Sequence, residues 1–126
     1  NRELTEHFAC NGSMFICIES FLRQKPTPLK VEAIEPSVVY GIPYHPLEEL
    51  SKEHYEIGLL YRKMLEASLI LSQRKADSIR FESARERYER LLKNNPEIIR
   101  RAPLSQIASL LEMTPETLSR VRAGTL

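Results

Sequence analysis

The chain has 126 residues, 42% of them hydrophobic and 28% charged, enough to bury a core but with room for only one or two small domains. No run of about eighteen apolar residues occurs, so no membrane-spanning helix is expected, and the opening NRELTEHF lacks the basic start and apolar block of a signal peptide. Cys10 and Cys17 are too few for a disulfide framework or for an iron–sulfur cluster, which wants about four thiolates, and His7, His45 and His54 form no zinc spacing.

The net charge of +1 hides an asymmetry. From Asn1 to Leu71, seven Lys/Arg face ten Asp/Glu; from Ser72 to Leu126, eleven face seven. Basic charge gathered at one end is the expected footprint of phosphate binding. The chain has only four glycines and no phosphate-cradling loop, no nucleophile–base pair and no paired carboxylates on a common strand, so no enzyme activity is expected. It opens without an initiating Met, as a processed chain or a piece of a longer protein would.

In chain order, Phe8–Phe21 is apolar and β-prone, interrupted by the turn dipeptide Asn11-Gly12. A strand is expected from about Met14 to Ile18, with Phe21-Leu22 opening a short helix before a proline-bearing loop. Leu29–Ile34 alternates apolar and polar residues like a half-buried strand, and Ser37–Ile42 reads as another. Pro46–Leu50 reads as a short helix. A long helix then runs from about Lys52 to Ile79. Ile57, Leu60, Met64, Ser68 and Leu71 recur on it near heptad spacing, widened by Tyr61, and form a candidate dimerisation face. Gly58, Ala67 and Ser68 would admit a second helix closely. Ser83 with Glu86 is a capping box that starts a helix reaching about Asn94. Pro96–Arg101 makes a further turn or two. Arg85, Arg87, Arg90, Lys93, Arg100 and Arg101 make this region basic, suited to DNA-backbone contact or to solvent.

Ala102–Arg122 reads as two short helices around a tight turn. Pro103 suits a first helical turn, and Ile107, Leu110 and Leu111 give the first helix one apolar stripe ending near Glu112-Met113. Thr114-Pro115 restarts the chain as an N-cap followed by proline. Leu118 and Val121 should point inward in the second helix, leaving Glu116, Thr117, Ser119, Arg120 and Arg122 outside. Such a helix-turn-helix lays its second helix in the DNA major groove. Glu116 and Arg120, four apart, share a face: glutamate can accept from cytosine, and arginine can grip guanine twice. The plain alternative is an intrahelical salt bridge. Thr117 and Ser119 are expected at bases or phosphates, with Thr114, Ser105, Gln106 and Arg122 completing the DNA-binding set.

QIASLLEMTPETLSRVR resembles the helix-turn-helix of the CRP/FNR family of bacterial transcription regulators, in the form of its Bacteroidetes branch. Glu116-Thr117-Leu118-Ser119-Arg120 matches the family's Glu-Thr-hydrophobic-x-Arg run. Pro115 replaces the family's leading arginine, and Glu112 stands where the turn usually has glycine. The resemblance implies an α+β fold: residues 1–45 as the C-terminal portion of a cyclic-nucleotide-binding-like β-roll whose first half is missing, 46–80 as a short helix and a long dimerisation helix, and 81–126 as an all-α helix-turn-helix domain. It implies a cytoplasmic homodimer on a palindromic double-stranded DNA operator, and it allows RNA polymerase as a further partner. The family's Gly-Glu pair falls at Ile16 and Cys17, and its Arg-Ser pair at Thr27 and Pro28. No cofactor is therefore expected, and cyclic AMP is not expected to bind in the usual way; Lys25 and Lys30 read as solvated. Only Ala123–Leu126 follow the second helix, so no wing is expected. A sensory or protein-interaction module that does not bind DNA is the alternative.

Overall fold

A computed structural model describes residues 4–126; residues 1–3, which open both the expected roll segment and the stretch read against a signal peptide, lie outside it. Among the described residues, seven helices form the regular structure: α1 (Ile18–Arg23), α2 (Tyr44–Glu53), α3 (Tyr55–Phe81), α4 (Ala84–Asn94), α5 (Pro96–Arg101), α6 (Leu104–Leu110) and α7 (Pro115–Arg122). No strand occurs among the described residues, so the fold is all-helical. The expected α+β class, with its partial β-roll, is corrected.

The correction falls on three segments. Met14–Cys17 is irregular and α1 begins at Ile18, while Leu29–Ile34 and Ser37–Ile42 run as exposed, non-repetitive chain. Strand preference in residues such as Val38, Val39 and Tyr40 reflects packing against neighbouring strands more than backbone bias. Here that packing is missing: Val38 is 82% and Tyr40 90% exposed. A few short segments without a lid or further strands do not make an independent sheet. The Asn11-Gly12 turn does form, with the Ser13 N–H donating to the Cys10 carbonyl (3.0 Å) and Gly12 at φ 75°.

The chain divides into two units. In Met14–Gln73, the ring of Phe21 meets those of Tyr44 and Tyr61 edge-on, with centroids 5.3 and 6.4 Å apart. Leu47 of α2 is buried. Burial raises the Tyr61 phenol above its ordinary range, with smaller contributions from Tyr44 and Glu48. A Cβ placed on Gly58 would lie 2.9 Å from the Ser51 carbonyl oxygen. The bare side of Gly58 thus serves the approach of α3 to α2 within one chain.

The other unit joins Arg74–Leu126 to the stretch ending at Ser13. Its core contains Leu91, Ile98, Ile107, Ala108, Leu111, Met113 and Leu118, drawn from α4 to α7 and the turn between α6 and α7. The expected capping box opens α4: the Ser83 hydroxyl accepts from the Glu86 N–H (3.2 Å), and the Glu86 carboxylate accepts from the Ser83 N–H (2.7 Å). These hydrogen bonds hold the Glu86 carboxyl below its ordinary value. The N-terminal stretch is fastened at three points. The Thr5 N–H donates to Ser109 Oγ (2.8 Å), Lys75 Nζ donates to the Glu6 carboxylate (2.8 Å), and Phe8 packs on the core. No helix among the described residues is long and apolar enough to cross a membrane.

Candidate nucleic-acid interface

The site is built from α6, the four-residue turn 111–114 and α7. Pro103 occupies the N-cap position rather than the first turn, and α6 closes at Leu110, slightly before the expected end. The turn ends the helix with two reverse hydrogen bonds: Glu112 N–H to Ser109 O (3.1 Å) and Met113 N–H to Ala108 O (3.0 Å). That pair is the Schellman arrangement, whose left-handed residue is commonly glycine. Glu112 occupies it at φ 50°. The turn geometry that glycine would favour is therefore kept by a residue that pays a Cβ clash to adopt it.

α7 starts as its sequence dictates. Thr114 is the N-cap, its hydroxyl accepting from the Thr117 N–H (3.1 Å), and Pro115 is the first helical residue. Leu118 is fully buried and Val121 nearly so, which fixes which side of α7 faces the core. Burying a leucine to this degree is worth about 2–5 kcal/mol against alanine. The helix ends on a second Schellman pair, with Gly124 at φ 70° as its left-handed residue.

The opposite side of α7 carries most of the expected contacts. Glu116, Ser119, Arg120 and Arg122 are exposed and Thr117 is half-buried. Arg120 and Arg122 have no ion-pair partner among the described residues. The intrahelical Glu116–Arg120 salt bridge does not form, although Glu19–Arg23, Glu48–Lys52 and Arg85–Glu89 close at the same spacing. The Glu116 carboxyl instead takes its own backbone N–H and the Thr114 hydroxyl. These hydrogen bonds, more than the charge of Arg120, hold it below its ordinary value. Ser119 donates its hydroxyl to the Pro115 carbonyl (2.9 Å), leaving only acceptor capacity. On α6, Ser105 is exposed and Gln106 half-buried.

The six basic residues of the preceding region are largely committed elsewhere. Arg85 pairs with Glu89, Arg90 with Glu82, and Arg100 and Arg101 with Glu97. Arg87 reaches no carboxylate among the described residues: its Nε donates to the Leu111 carbonyl (2.8 Å) and its Nη1 to the Glu82 carbonyl (2.7 Å). Sequence spacing places Arg87 among surface cations. Its position against the turn, 24 residues further on, is visible only in three dimensions.

On α3, the expected dimerisation residues fall into two groups. Leu60 (59% exposed) and Leu71 (53%) are open to solvent, whereas Ile57, Tyr61, Met64 and Ser68 are half-buried in their own chain. Leu60, Met64, Ala67 and Leu71 follow steps of four, three and four residues and so lie along one stripe. In the same unit, Glu19, Ser20, Arg23, Lys25 and Thr27 line a hollow of about 200 Å³. That is below the roughly 300–1,000 Å³ usual for small-molecule pockets. Among the described residues no group of three or more His, Cys, Asp or Glu is placed to hold a metal ion. Comparison with protein-family models, curated proteins and solved structures gives no match.

Proposed function

We propose that the chain is a sequence-specific DNA-binding regulator of the CRP/FNR type. The observation that carries the reading is the division of α7: Leu118 and Val121 are in the core, and on the other side Arg120 and Arg122 stand exposed without carboxylate partners among the described residues. A helix held by its apolar side behind a tight turn, with open arginines on its free side, is what major-groove reading requires. Arg120 reads guanine and Glu116 an adjacent cytosine, swinging out from its hydrogen bonds at the start of α7. Thr114, Thr117, Ser119, Arg122, Ser105 and Gln106 serve bases and phosphates.

In this reading the protein is a cytoplasmic homodimer joined along the Leu60–Leu71 stripe of α3, and its operator is palindromic. RNA polymerase is a further partner. No cofactor takes part, and cyclic AMP is not bound in the family's usual way, because the ribose acceptor and phosphate cation are replaced by Ile16-Cys17 and Thr27-Pro28. The test is titration of the chain into a labelled duplex at several salt concentrations. Phosphate contacts make affinity fall steeply with salt; tight binding that is indifferent to salt would sink the reading.

The exposed run Val38–Tyr40 favours the second reading, a module that docks on another protein. The same titration, with no duplex bound by folded protein, would favour it.

A further inference from the structure

We propose that Arg87 is a positioning residue for α7, a role that rests on the DNA-binding reading above. Its guanidinium joins the ends of two helices. Leu111 is the C-cap of α6, and Glu82 directly follows the last residue of α3. Carbonyls at helix C-termini carry partial negative charge. The rigid guanidinium fork fixes the direction of its hydrogen bonds as well as their length.

The Glu82 end is itself held. Arg90 donates from Nε to both carboxylate oxygens of Glu82 (3.1 Å each) and from Nη2 to the Ser78 hydroxyl. Ser78, the buried polar residue of α3, donates to the same carboxylate (2.8 Å). The junction of α3 and α4 is thus a fixed frame, and the Arg87–Leu111 bond ties the turn to it. Only Glu112, Met113 and Thr114 lie between the held carbonyl and the first residue of α7. A shift of Leu111 therefore moves Glu116 and Arg120 relative to any base edge they address. Arg87 is half-buried and directs two of its five N–H donors, from Nε and Nη1, to carbonyls; it is assigned to positioning rather than to phosphate contact.

The two kinds of contact separate the possible roles. Phosphate contacts supply affinity without sequence information, and base contacts supply discrimination. Loss of a positioning residue lowers discrimination and spares non-specific binding. A merely structural residue, by lowering the folded fraction, lowers both alike.

The experiment compares the full chain with Arg87→Ala and Arg87→Lys. Each is titrated into a duplex enriched by wild type from a random pool and into its scrambled counterpart, with circular dichroism confirming the folded fraction. The expected result for Arg87→Ala is a specific-to-scrambled ratio reduced on the order of tenfold, comparable to mismatching a base pair. Scrambled affinity and its salt dependence stay at wild-type values. Lysine, a point charge unable to reproduce the fork, restores only part of the ratio. A folded Arg87→Ala with the wild-type ratio overturns the role, as does one that loses both affinities in proportion. Should Arg87→Ala not fold, Arg87→Lys decides between the same outcomes. A wild-type chain that prefers no duplex is a distinct result: it removes the DNA-binding reading and this role together.

Discussion

The Nε of Arg87 in α4 lies 2.8 Å from the carbonyl oxygen of Leu111, at the turn that leads into α7. One hydrogen bond from a charged group thus satisfies a helix-end carbonyl across 24 residues of sequence. Arg87→Ala removes it and leaves the Leu111 and Glu82 carbonyls to find other donors. The expected loss is about 1.5–3 kcal/mol of stability, the range for hydrogen bonds to charged groups. Urea denaturation reads it as a lower midpoint at unchanged slope; an unchanged midpoint would mean that water replaces the guanidinium freely.

Glu112 gives a prediction of opposite sign. Its φ of 50° places a Cβ where glycine would have none. Glu112→Gly relieves that clash while giving the unfolded chain more freedom. The balance should be a gain of about 0.5–1 kcal/mol. The reverse change at Gly124, φ 70°, should destabilise by about 1 kcal/mol. A midpoint that falls for Glu112→Gly would show that the glutamate side chain makes a stabilising interaction in the turn.

Gly58→Ala sets two effects against each other. Alanine favours helix by about 1 kcal/mol. The new Cβ would meet the Ser51 carbonyl oxygen at 2.9 Å, and forcing apart packed backbone costs about 1–3 kcal/mol. A lower thermal midpoint is expected. A raised midpoint would show that α2 and α3 separate at little cost.

His7 supplies a pH dependence. Burial first, and the Lys75 charge second, lower its pKa below the ordinary 6.5. Below that pH the unfolded chain takes up the proton before the folded one does, so stability present above 6.5 declines as pH falls through the lowered folded value. His7→Gln should flatten the stability profile between about pH 7 and 5, where histidine ordinarily titrates. An unaltered profile in the variant would place the responsible group elsewhere.

Arg120→Ala should cost about 1–3 kcal/mol of specific binding and relax the preference at one base pair. Its exposed position predicts little change in stability. Equal affinity of wild type and variant for operator and scrambled DNA would remove Arg120 from the readout.

What the sequence made legible was local. The Ser83–Glu86 capping box, the Thr114-Pro115 start of α7 and the inward Leu118 and Val121 each depend on residues within a turn or two, and each is found. The absence of strands among the described residues was not legible, because Val31, Val38 and Tyr40 have strand preferences that act only when neighbouring strands cover them. Glu112 carries a Cβ where the turn usually has glycine, yet the backbone holds the left-handed conformation regardless. The missing Glu116–Arg120 ion pair was hidden for a related reason: spacing permits it, but the hydrogen bonds at the start of α7 hold the carboxylate instead. Arg87 could not be told from its basic neighbours, since its partner carbonyls are brought to it by the fold.

The central claim, that the exposed side of α7 reads DNA, is tested most directly by selecting binding sites from a pool of random duplexes and sequencing them at two salt concentrations. Enrichment of a palindromic motif whose recovery weakens with added salt is the predicted result. Failure of folded protein to enrich any motif at either concentration would contradict it.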